Sequence, residues 1–238
     1  AIVLKVEGEE WDEGIDTGTE LIKDIPYTSE EILDKVQKAG IVGMGGATFP
    51  THVKLKPPKG MKAESLIING VECEPYLTID HRLMLEKGEE LMVGTQILMK
   101  ALGVEKAYIG IENNKKDAIK YLQKLSKTYN GIQVVPLKVK YPQGGEKQLI
   151  KSILNREVPS GGLPIAVGTV VQNVGTTLAV YQAVQKNMPL IERGVTISGT
   201  NLPEPKNVIV KIGTPIKDLI DYAGGLPEDT GKVVVGGP

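Results

Sequence analysis

The sequence contains a single cysteine, Cys73, among 238 residues. One thiol excludes an intrachain disulfide framework and leaves no cysteine set for an iron–sulfur cluster or a structural zinc, so no metal site is expected. A reducing, cytoplasmic setting fits this scarcity. Long apolar runs are missing as well. No stretch approaches the ~18–20 apolar residues that a membrane-crossing helix needs, so no direct membrane span is expected. The N-terminus lacks the basic-then-apolar order of a secretion signal. No block of lysine or arginine is interleaved with aromatics, and the formal net charge is −1, which argues against nucleic acid as a partner. Phenylalanine occurs once, as Phe49.

What remains is the profile of a globular chain with material for a core: 41% hydrophobic and 24% charged residues. This length suggests one or two domains. The chain opens in what reads as mid-strand, AIVLKVEG, and stops at Gly-Gly-Pro, so a fragment of something longer is expected. Residues 1–25 read as the tail of a small β element followed by a linker.

Thr28 and Glu31 have capping-box spacing, which predicts a helix over residues 30–39 ending at Gly40. From Ser65 onward, strand-like and helix-like segments alternate: SLIIN, a helix over 89–102 with Leu91, Thr95, Leu98 and Leu102 on one face, KAYIGIE, a helix over 115–126, and IQVVPL. Alternation at these lengths implies parallel strands covered by helices, an α/β domain over residues 26–190. Beyond Ile191 come VTISG, NVIVKIG, a short helix opened by Thr214-Pro215 and stopped by Gly224, then VVVGG. That order is compatible with a small β-grasp module over residues 191–238.

Four segments carry candidate chemistry. In GIVGMGGATFPTHVK, Gly43, Gly45 and Gly46 precede a helix expected to open at Pro50. Glycines let backbone amides approach an anion, and a helix N-terminus adds a favourable dipole. The same loop also reads as a tight turn with no ligand, and it does not match the dinucleotide-binding fingerprint. Phe49 reads either as core or as a stacking group, and Lys54 either as a solvated lysine or as a cation facing a phosphate or a reduced flavin.

In INGVECEPYLTIDHR, Asn69 ends a strand, where ligands sit in open α/β sheets. Glu72 and Glu74 flank Cys73 in a loop and can accept from ribose hydroxyls or ring N–H groups. A hydrolase reading of these acids lacks a nucleophile elsewhere. Cys73 with His81 resembles half of a metal site, and two ligands do not make one. The third segment, YPQGGEKQ, holds Tyr141, Gly144, Gly145 and Glu146 ahead of a helix. In the fourth, GTVVQNVGTT, Gln172 and Asn173 follow an apolar run, and each amide offers a donor and an acceptor suited to a pyrimidine-like edge.

Taken in order, GMGGATFPTHVKL, INGVECEPYLTIDHRLMLE, YPQGGEKQLIKSI and VPSGGLPIAVGTVVQNVGT resemble the signature of Rnf complex C subunits, which are related to the flavoprotein subunit of complex I. The resemblance covers nearly the whole chain. It implies a Rossmann-like FMN-binding α/β domain followed by an SLBB-like β-grasp module. It also implies non-covalent FMN, NAD(H) as substrate, and hydride transfer between the two.

Carried over by position, Gly43, Gly45, Gly46, Lys54, Asn69, Glu72, Tyr141, Gly144, Gly145, Gln172, Asn173 and Thr176 would line the FMN. Phe49, Glu74 and Glu146 would meet NAD(H), with Glu146 the candidate closest to catalysis. Val71 and Gly145 stand where the complex I relative has acids, and Met44 where it has an arginine. The resemblance further implies 4Fe-4S clusters in a parent protein but not in this chain, other Rnf-type subunits as partners, ferredoxin reached indirectly, and a cytoplasmic place peripheral to the membrane. Two other readings stay open: a cobalamin-reductase-type flavoprotein with the same core, and a docking scaffold that has lost FMN.

Overall fold

The computed structural model describes residue 8 and residues 10–236. The expected opening strand, AIVLKVEG, lies largely outside them. Residues 10–25 form no helix or strand and run along a helix of the α/β domain, α7 (Val174–Lys186). There the Tyr181 hydroxyl accepts from the Ile22 amide at 3.0 Å, and Gln185 donates to the carbonyls of Ile22 and Asp24.

Helix α1 (Ser29–Lys38) carries the capping box: Thr28 accepts from the Glu31 amide, and Glu31 accepts from the Thr28 amide. It ends at Gly40, whose φ is +67°. The helix expected to follow Pro50 is a single turn, α2 (Thr51–Lys54).

Four strands then form one parallel sheet: β1 (Ser65–Gly70), β2 (Ala107–Glu112), β3 (Ile132–Leu137) and β4 (Thr169–Asn173), in the order β3-β2-β1-β4. The connections carry α3 (Ile79–Glu86), α4 (Gly88–Leu102), α5 (Lys116–Ser126), α6 (Glu146–Leu154) and a 3₁₀ turn (Pro164–Val167). Side chains alternate across the strands, and the burial follows. Leu66 and Ile68 of β1 join a large cluster with α1, α4, α5 and α7, whereas Ile67 faces a smaller cluster with Leu149 and Ile150 of α6.

Helix α4 departs from the one-faced expectation. Leu91, Met92, Val93, Ile97 and Leu98 are all fully buried, because other helices enclose it nearly all round. An amphipathic stripe is the signature of a surface helix, and α4 is a core helix.

Beyond the sheet, β5 (Glu192–Ile197) and β6 (Lys206–Lys211) pair antiparallel and are followed by α8 (Ile216–Tyr222). Val233, Val234 and Val235 are exposed and lie in no strand. The β5–β6 ribbon sits on the start of α3. Thr78 donates its amide to the Thr196 hydroxyl, and Gly194 packs so closely on Ile79 that a Cβ there would lie 2.6 Å from its side chain. No described helix is long and apolar enough to cross a membrane.

Candidate flavin site

From β1 the chain proceeds to β2 and β3 on one side, and returns from β3 to β4 on the other. The strand order therefore reverses between β1 and β4. Such a reversal opens a crevice beyond the carboxyl ends of the strands, because the connections leave in opposite directions. Asn69 and Asn173 are register partners at those two ends.

Two further loops close on this pair. Asn69 donates its side-chain amide to the Gly144 carbonyl at 2.9 Å. A Cβ on Gly144 would stand 2.8 Å from the Val71 carbonyl oxygen, so only glycine lets the β3–α6 loop come this near. Gly45 lies against Asn173 in the same way, with a Cβ 2.9 Å from that side chain. Asn173 also caps α7 by accepting from the amides of Gly175 and Thr176. The Thr176 hydroxyl accepts from the Met44 amide at 2.9 Å and ties the glycine loop to that helix start.

The resulting cleft has a volume of about 750 Å³, within the range of pockets that hold cofactors. Of the residues the sequence singles out, Gly45, Asn69, Glu72, Glu74, Gly144, Gly145 and Asn173 line it. The others are placed around it in different ways. Lys54 pairs with Glu146 at 2.6 Å, joining the glycine segment to the start of α6. Tyr141 is exposed and donates its hydroxyl to Glu74 at 3.3 Å; the Glu74 charge raises the Tyr141 pKa. Phe49 stands 54% exposed in the glycine loop. Gly43 receives no side chain and instead donates its amide to the Phe49 carbonyl. Gly46 has open space above it, Thr176 is buried, and Gln172 is buried with an unpaired Nε2 beneath the loops. The His81 ring is hydrogen-bonded to Asp117 at 2.8 Å. That bond is the main cause of a lowered Asp117 pKa.

Glu72 has a second duty. Its two carboxylate oxygens accept from the amides of Asp80 and His81, the donors at the start of α3 that Thr78 leaves uncapped. Among the cleft residues that sequence reading misses are Asp80 and Arg193. Asp80 lines the cleft and accepts from Asn173 at 2.7 Å. Burial, reinforced by the neighbouring Glu72 charge, pushes the Asp80 pKa up to about 7. Arg193 reaches in from β5 and donates to the Met44 carbonyl. Asp80 stands inside INGVECEPYLTIDHR with no local cue to its burial, and Arg193 lies 149 residues from the glycine loop it touches.

Residues 36–182 match the family model for the Nuo51 FMN-binding domain, and residues 195–238 match the SLBB domain. The chain belongs to the Rnf C-subunit family. It is 53% identical over its whole length to the C subunit of the proton-translocating ferredoxin:NAD(+) oxidoreductase complex of Clostridium ljungdahlii, covering 51% of that protein. Over 95% of the chain it is 46% identical to the Na(+)-translocating counterpart of Acetobacterium woodii, covering 52% of it. The C subunit of the ion-translocating oxidoreductase complex of Rhodobacter capsulatus is 46% identical over 88% of the chain and is covered to 40%. The chain thus spans about half the length of the first two relatives. An NAD+-reducing [NiFe]-hydrogenase shares the fold with a TM-score of 0.72 at 24% identity, across 82% of this chain and 39% of that one.

As a member of this Rnf family the chain carries an FMN-binding type of domain, and its cleft suits such a group. Its lining combines apolar side chains, Met44, Val71, Leu77 and Ile79 among them, with the polar side chains of Asn69 and Asn173 and the backbone of Gly45, Gly144 and Gly145. A flat ring with polar edges needs both.

Proposed function

We propose that this chain binds FMN in the cleft between β1 and β4 and transfers hydride between NAD(H) and that flavin, as the flavin core of an Rnf-type electron-transfer subunit. The single observation that carries the reading is the register pair Asn69 and Asn173 at the strand reversal, with Gly45 and Gly144 packed against it.

Bound FMN would supply the two-electron chemistry, and the protein's part is to hold, orient and shield. Asn69, Asn173 and the amides of Gly45, Gly46 and Gly144 would grip the polar edges and phosphate. Lys54, paired with Glu146, would bring positive charge toward the phosphate. Phe49, exposed above the glycine loop, would stack on the nucleotide base, and Glu74 and Glu146 would accept from its sugar or amide groups. The SLBB module, which we place from about residue 191, closes one side through Arg193. Electrons would pass on to 4Fe-4S clusters elsewhere in the parent protein, since Cys73 is the only cysteine here. Other members of the complex would hold the chain at the cytoplasmic side of a membrane, with ferredoxin reached through them.

Reconstitution with FMN followed by anaerobic NADH tests the reading. The expected outcome is a yellow protein whose 450 nm absorbance bleaches on NADH addition. A protein that takes up FMN but is not bleached would support a flavin-binding domain without the NADH role, and one that takes up none would contradict both.

A further inference from the structure

Two carboxyl groups meet at the start of α3. Glu72, in the loop after β1, accepts from the Asp80 amide on Oε1 at 2.9 Å and from the His81 amide on Oε2 at 3.3 Å. Both of its oxygens are committed to backbone donors at a helix N-terminus, a setting that suits negative charge. Asp80 is differently placed. It is half-buried on the wall of the flavin cleft, and its Oδ2 accepts from one neutral amide, that of Asn173.

The groups around Asp80 pull in opposite directions. Burial and the Glu72 charge raise its pKa, while the Asn173 bond, Lys115 at the start of α5 and Arg193 on β5 lower it, and the first two prevail. The ring of the neighbouring His81 is turned to Asp117 instead. Where two acids share a site and only one has donors enough for its charge, the other is the one that keeps and exchanges a proton. Asp80 is that acid, and it stands on the cleft that suits a flavin.

Hydride transfer to a flavin delivers two electrons and one proton, so the cleft gains one unit of negative charge as NADH becomes NAD+. Negative charge added beside a carboxyl strengthens its hold on a proton. We propose that Asp80 is the proton-exchanging group of the flavin cleft, taking one proton from solvent as hydride arrives on the flavin and returning it as the electrons leave. The hydride pair comes from NADH, the proton on Asp80 comes from water and offsets the added charge, and the only bond of Asp80 that forms or breaks is O–H. The proposal rests on the flavin reading above and adds a proton to it. Asp80 acts through its charge and need not touch the reacting atoms.

FMN-loaded wild type, Asp80→Asn and Asp80→Glu are titrated by spectroelectrochemistry between about pH 5 and about pH 9. Above about pH 7 the midpoint potential of the wild type should fall with pH more steeply than that of Asp80→Asn, by up to ~30 mV per pH unit: one further proton per two electrons, a tenfold change in the redox equilibrium. Well below that pH Asp80 holds its proton in both redox states, and the two lines should run parallel. Asp80→Glu keeps a carboxyl and should restore the steeper slope. Infrared difference spectra of the wild type at about pH 8 should gain the C=O band of a protonated carboxyl on reduction, a readout that decides even if neither variant folds. Parallel lines over the whole range, or no gained band, overturn the proposal and leave the flavin reading standing. A wild type that takes up no FMN overturns both.

Discussion

The carboxyl group of Asp80 accepts a hydrogen bond from the side-chain amide of Asn173 at 2.7 Å, while the oxygen of that same amide caps α7. One side chain thereby fixes the starts of two helices at the point where the strand order reverses. The arrangement places an acid with a pKa of about 7 on the wall of the flavin cleft.

A raised carboxyl pKa costs stability as pH rises. Between the ordinary aspartate value and about 7 the folded chain holds a proton that the unfolded chain has released, so stability falls across that window and the full cost is present above it. Asp80→Asn removes the charge and keeps an acceptor for Asn173. The melting temperature of the variant should match wild type near pH 4 and exceed it by a margin that grows up to about pH 8. A margin independent of pH would show that Asp80 is not the titrating group.

Gly144→Ala should weaken FMN binding by at least about tenfold, since the added Cβ would meet the Val71 backbone carbonyl, which has no rotamer to escape into. Fluorescence titration reads the change. Gly231→Ala is the control: the same substitution outside the cleft meets nothing within 4 Å, and FMN affinity should change little.

Phe49→Ala and Glu146→Gln should raise the NADH concentration needed for half-maximal bleaching by about five- to tenfold, the scale of a stacking contact or a hydrogen bond. FMN retention should fall less. Equal losses of NADH use and FMN would contradict the assignment of both residues to the nucleotide.

Arg193→Ala removes the bond from β5 to the Met44 carbonyl. Amide exchange in residues 43–47 should speed up by severalfold, corresponding to on the order of 1 kcal/mol for one partly exposed hydrogen bond. Unchanged exchange would mean that Thr78, Thr196 and Asn207 hold the module without it.

Much of the fold is legible in the sequence because its signals are local. The Thr28–Glu31 capping box, the glycine stop at Gly40 and the alternation of short apolar strands with helices each depend on residues a few positions apart. The all-round burial of α4 escapes such reading because it is decided by neighbours distant in sequence. The same division holds at the cleft. Glycine-rich loops and strands ending at Asn69 and Asn173 announce themselves, whereas the burial that perturbs Asp80 and the reach of Arg193 across from β5 are properties of the assembled structure.

The convergence of four loops on one flavin is tested most directly by hydrogen–deuterium exchange with and without FMN. Saturating FMN should protect residues 43–47, 70–74, 143–147 and 173–177 together, with one flavin bound per chain. Saturable binding that leaves these four segments unprotected, or protects only one of them, would contradict the account.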